Sequence, residues 1–105
     1  MPTQEIRVGT VKVVNGVRCD HTRPVQFEGE KLATHTVHIG SDGTRGATET
    51  LYHTADGRLI VHVENWSRQQ TETTIYSMLE ITGKDLRAGG RFEALGRGAW
   101  AWLRR

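Results

Sequence analysis

Four side chains flanking an Asp56-Gly57 pair have the types that could do chemistry: Glu49, His53, His62 and Glu64. Two imidazoles and two carboxylates on one strand face would match the nitrogen and oxygen preferences of a tetrahedral Zn²⁺ site. The same set would supply an acid–base pair, because histidine titrates near neutral pH. Whether the four meet depends on the hairpin register. A two-residue type I′ loop at Asp56-Gly57 sets Ala55 opposite Arg58. Thr54 then pairs with Leu59, His53 with Ile60, Tyr52 with Val61, Leu51 with His62 and Thr50 with Val63. That register predicts a core face of Tyr52, Leu59, Val61 and Val63. The opposite face carries Glu49, Leu51, His53, Ile60, His62 and Glu64, with the two histidines diagonal at roughly 7–8 Å between Cβ atoms. Alternation with Leu51 and Ile60 favours a solvated or partner-facing strand, so no metal, cofactor or catalytic residue is assigned there. A three-residue loop would break the pairing.

Three other constellations carry less. Cys19-Asp20-His21 places a thiol and an imidazole two residues apart, on one side of an extended chain, but without a surrounding nucleophile signature. The stretch Gly40-Ser41-Asp42-Gly43-Thr44-Arg45-Gly46 offers backbone amides to an anion. It lacks the Gly-Lys-Ser/Thr ending of a phosphate loop and reads as a hairpin connection. The tail gathers Arg91, Arg97, Arg104 and Arg105 with Trp100 and Trp102. Arg and exposed aromatics together suit single-stranded nucleic acid or a protein interface. Trp66, Trp100, Arg97, Arg104 and Arg105, with His53 and His62, are the expected partner contacts.

The elements that must position these groups are mainly strands, because Thr is abundant and Ala scarce before the last fifth of the chain. Apolar parity changes beside Gly9, from Ile6 and Val8 to Val11 and Val13, as a β-bulge would produce. Asn15-Gly16 predicts a turn. Residues 18–31 read as loop with a short extended piece, since Pro24 argues against a central strand. Residues 32–39, 48–54, 59–66 and 73–81 are the better strands. Thr82 with Asp85 predicts a capped helical turn over 84–88, stopped by Gly89-Gly90. Phe92, Leu95, Ala99, Trp102 and Leu103 share a helical stripe, which favours one continuous helix over 91–103. A short helix ending at Gly96, followed by a strand over 99–103, is the alternative. The expected fold is mainly β (α+β): a single antiparallel, curled sheet of about five strands with a C-terminal helix.

At 105 residues the chain is one domain, 1–105. A formal charge of +2 is too small to imply nucleic acid unless the basic residues cluster. Cys19 is the single cysteine, and neither a signal-peptide pattern nor a membrane-length apolar run is found, so a cytoplasmic protein is expected.

The hairpin from Leu51 to Trp66, with Leu79-Glu80-Ile81-Thr82 and Lys84-Asp85-Leu86, resembles small uncharacterised proteins of bacteria, phages and mobile elements. The resemblance implies a binding protein that acts by contact with a host protein complex, in the manner of inhibitors of CRISPR effectors. Two other functions stay open. One is a small β-barrel-like nucleic-acid-binding module; the other is a metal- or His/Glu-dependent enzyme on the 49–64 hairpin face. Pairing of an edge strand across a two-fold axis would give a homodimer.

Overall fold

A computed structural model describes residues 2–39, 43–67 and 73–103. Five antiparallel strands follow one another: β1 (Thr3–Val14), β2 (Val17–Ile39), β3 (Arg45–Thr54), β4 (Leu59–Ser67) and β5 (Thr74–Ile81). Each pairs with the next, and residues 9–11 of β1 pair with residues 74–76 of β5. The sheet therefore closes into a barrel rather than remaining a curled open sheet. A 3-10 turn (Gly83–Leu86), α1 (Glu93–Gly98) and α2 (Trp100–Leu103) complete the chain.

Closure depends on β2, which at 23 residues is long enough to serve two partners in turn. Its residues 17–28 pair with β1, and residues 29–39 pair with β3. The expected loop over 18–31 is thus continuous strand. Pro24 is accommodated because β2 has a single neighbour there, the edge situation that tolerates a missing amide donor. At the handover the Gly29 N–H donates to the Pro2 carbonyl at 3.0 Å and the Ala55 N–H to the Glu28 carbonyl at 2.8 Å. The register irregularity falls between Lys31 and Ala33. Near Gly9, whose φ is 134°, burial parity changes as the sequence suggests, yet pairing with β2 runs through without a shift. The feature is a kink, not a bulge.

The β3–β4 turn corrects the expected register by one residue. The Gly57 N–H donates to the Thr54 carbonyl at 3.0 Å, and the Thr54 N–H to the Arg58 carbonyl at 2.9 Å. Ala55, Asp56 and Gly57 form a three-residue loop, a type I turn closed by a glycine at φ 90°, where a side chain would be strained. Thr54 selects this form: its Oγ1 accepts the Arg58 N–H at 2.9 Å and its hydroxyl donates to Asp56. Leu51 consequently pairs with Val61, Tyr52 with Ile60 and Thr50 with His62.

Both faces of the hairpin are apolar as a result. Leu51, Val61 and Ile81 pack against Leu86, Phe92, Leu95 and Ala99 of the helical segment. On the other face Tyr52 and Ile60 are buried as β1 and β2 curl over them; the Phe27 ring meets Tyr52 edge-on at 5.2 Å. Burial raises the Tyr52 phenol above its ordinary value. His62 also points this way, its Nε2 donating to the Arg7 carbonyl of β1 at 2.7 Å.

Asp56 gives the turn an acid-sensitive contact. The Thr54 hydroxyl, and after it Arg58 at 3.0 Å, hold its carboxyl below the ordinary 3.8. A depressed native value stabilises the fold above the unfolded pKa, and the contribution disappears as pH falls through the native one. Asp56→Asn should therefore flatten the fall in melting temperature below about pH 4. Parallel acid limbs for the variant and the parent would refute this.

Candidate functional site

The helical segment presents one side to the sheet and the other to solvent. Its start is set by Thr82, whose N–H donates to the Asp85 carboxylate at 3.0 Å, the reciprocal half of a capping arrangement. The chain then turns back so that the Phe92 N–H reaches the Asp85 carbonyl at 2.8 Å and α1 lies beside the 3-10 turn. Phe92, Leu95 and Ala99 are buried against the sheet, as the stripe in the sequence suggests. The expected continuous helix is nevertheless divided between Gly98 and Trp100. At Ala99, with φ −98° and ψ 11°, the N–H still closes on the Leu95 carbonyl at 2.9 Å, but the backbone leaves the helical path. The expected alternative of a strand over 99–103 does not form either.

A groove of about 440 Å³ opens between the 3-10 turn and α1. Leu86, Ala88, Gly96 and Trp100 contribute apolar lining, and Arg87 and Arg97 contribute guanidiniums. Trp100 is 59% exposed, the large hydrophobic side chain that the helical segment leaves to solvent. Glu93 also lines the groove; it accepts the Gly89 N–H at 3.1 Å and pairs with Arg97 at 2.9 Å. Arg97 stays 69% exposed at its side chain, so this pair is a weak constraint.

Charge is distributed unevenly along the sequence. Residues 82–105 hold six of the fourteen Lys and Arg but two of the twelve Asp and Glu, a local net charge of +4 against −2 for the rest. The overall +2 conceals this asymmetry.

The structure separates the hairpin set. His53 and Glu49 project on the face shared with Leu51 and Val61, whereas His62 and Glu64 project on the opposite one. Among the described residues no group of three or more His, Cys, Asp or Glu lies close enough to hold a metal ion. His53 is covered by Trp102, ring centroids 4.6 Å apart, and Trp102 Nε1 donates to Glu30 at 2.9 Å. The His53 Nδ1 atom is buried without a hydrogen-bond partner. His62 stacks on Tyr76 at 6.0 Å. The two histidines therefore lie on opposite faces of the hairpin.

Cys19 and His21 lie on β2, opposite Lys12 and Thr10. The polar contact of the thiol is the Val17 carbonyl at 3.8 Å, while Asp20 accepts from the Thr22 N–H and hydroxyl. No base is positioned by that triplet. Trp66 lies across from Gly46, with Nε1 donating to Thr48 at 3.1 Å, on the sheet face away from the helical segment. Arg104, Arg105 and the 40–42 part of the glycine-rich stretch lie outside the described residues. Arg97 and Trp100 are thus brought together, and Leu86 and Arg87, which sequence reasoning missed, join them. The Thr82/Asp85 cap was the available signal, since it fixes where Leu86 must turn inward.

The chain matches no family model, no curated protein and no solved structure.

Proposed function

We propose that this protein is a binding module that acts by protein–protein contact through its helical face. The observation that carries the reading is the exposed Trp100 lining one groove with Arg87 and Arg97. Trp and Arg dominate the energetics of protein interfaces because each buries a large area while keeping a directional polar or cationic group. The groove has the size of sites that receive a few side chains. A host defence complex, CRISPR effectors included, is the partner class that the resemblance to small phage and mobile-element proteins adds to this reading.

The test starts with co-purification from a host lysate and continues with the recovered partner in purified form. Binding is expected to fall at least about tenfold with Trp100→Ala and with Arg97→Glu. It should be unchanged with Lys12→Glu on β1, an exposed cation outside the groove. Full affinity of the folded Trp100→Ala variant would place the interface elsewhere and defeat the reading.

A further inference from the structure

We infer that the groove receives an acidic, extended segment of a partner protein. An apolar side chain of that segment enters between Leu86 and Trp100, and its carboxylates meet Arg87 and Arg97. This rests on the protein-contact reading above and gives that contact a chemistry.

Three observations converge. The lining between the 3-10 turn and α1 is largely apolar, with Leu86, which is buried, Ala88, and Gly96, whose backbone packs on Leu86. Such a lining rewards an apolar side chain of a polypeptide ligand. The lining carries two guanidiniums, Arg87 and Arg97, whose planar forks suit carboxylates. The remaining observation concerns Glu93. Among the described residues it is the one carboxylate lining the groove, and it pairs with Arg97 at 2.9 Å. Glu93 thus occupies the position on Arg97 that a partner carboxylate would take, as an internal competitor. An acidic ligand must share or displace it.

That competition distinguishes the proposal from a generic sticky patch. Glu93→Gln retains an oxygen to accept the Gly89 N–H, preserving the link between turn and helix, but it gives up the charge that holds Arg97. It should therefore tighten an acidic ligand while leaving the fold intact. The expected gain is about two- to fivefold, the worth of an exposed ion pair.

The experiment measures fluorescence anisotropy of labelled short peptides against the full chain at about 50 mM salt and again at about 500 mM. One peptide alternates Glu and Gly around a central Leu. A second replaces that Leu with Gly, a third replaces Glu with Lys, and a labelled single-stranded oligonucleotide serves as the rival anion. The Glu/Leu peptide should bind best and weaken at the higher salt. Loss of Leu, reversal of peptide charge, Trp100→Ala and Arg87→Gln should each weaken it at least about tenfold, with melting curves confirming that the variants fold. Glu93→Gln should strengthen it. Equal binding of the Lys peptide, indifference to Trp100→Ala, or no gain from Glu93→Gln would each overturn the inference. Tighter binding of the oligonucleotide would overturn it in favour of nucleic acid. If the lysate partner depends on Trp100 while no peptide shows an acidic preference, the acidic ligand fails and the protein-contact reading stands. If the partner is indifferent to Trp100, both fail.

Discussion

Gly96→Ala is expected to destabilise the protein by about 1–3 kcal/mol, although helix propensity alone predicts the opposite sign. Inside α1, exchange of Gly for Ala should contribute about 1 kcal/mol of stability through reduced backbone freedom in the unfolded chain. The packing of Gly96 overrides this. Its backbone lies directly on Leu86, so an added Cβ would run into the Leu86 carbonyl oxygen, with the carbonyl carbon at 2.8 Å and the Leu86 Cβ at 3.1 Å. Neither is the end of a flexible side chain. Relief requires α1 to move away from the 3-10 turn, and that movement would open the groove and uncover Leu86 and Leu95. The measurement is urea unfolding followed by circular dichroism, with Trp emission reporting on the helical face. A Gly96→Ala protein more stable than the parent would show that the turn and α1 do not touch at this point. Weaker binding of a partner should accompany the stability loss, because Leu86, Gly96 and Trp100 line the same groove.

The same contact shows why the candidate site was only half legible in the sequence. Arg97 and Trp100 are readable as binding residues, because a helical stripe through Phe92, Leu95 and Ala99 leaves them off the buried side. Leu86 and Arg87 form the other wall through tertiary docking of two short elements, which no local period encodes. The strands were legible where apolar residues alternate and obscured where another factor outweighed local signals. At Pro24 an edge position tolerated a residue that argues against strand. At the β3–β4 turn Asp56-Gly57 fits both a two-residue and a three-residue loop, and the Thr54 side chain decides between them by accepting the Arg58 N–H. A single residue of register moved His53 beneath Trp102 and left His62 on the face that meets β1. The shared His/Glu face depended on the two-residue-loop register. The expected curled sheet stops short of closure, which depends on residues 9–11 meeting residues 74–76, pairs more than sixty positions apart along the chain.

The three-residue-loop register places Leu51 where truncation of its side chain carries a large stability loss. Leu51→Ala should cost about 2–5 kcal/mol, measured by urea unfolding. Leu51 is 0% exposed and belongs to the apolar cluster that holds Phe92 and Leu95 over the sheet. Its surroundings are backbone-fixed strands on one side and a docked helix on the other, so the void has little means of collapsing. A double-mutant cycle then tests the register directly. Leu51 and Val61 are cross-strand partners on one face, both fully buried, and their truncations share a cavity. Leu51→Ala and Val61→Ala should therefore couple by about 0.5 kcal/mol or more. Under the two-residue-loop register these side chains would lie on opposite faces of the sheet, and their costs would add. Coupling within error of zero would mean that the three-residue loop is wrong, and with it the separation of His53 from His62. Clear coupling would fix Leu51 beneath the helical segment, where loss of its side chain should loosen the same α1 contact that shapes the groove.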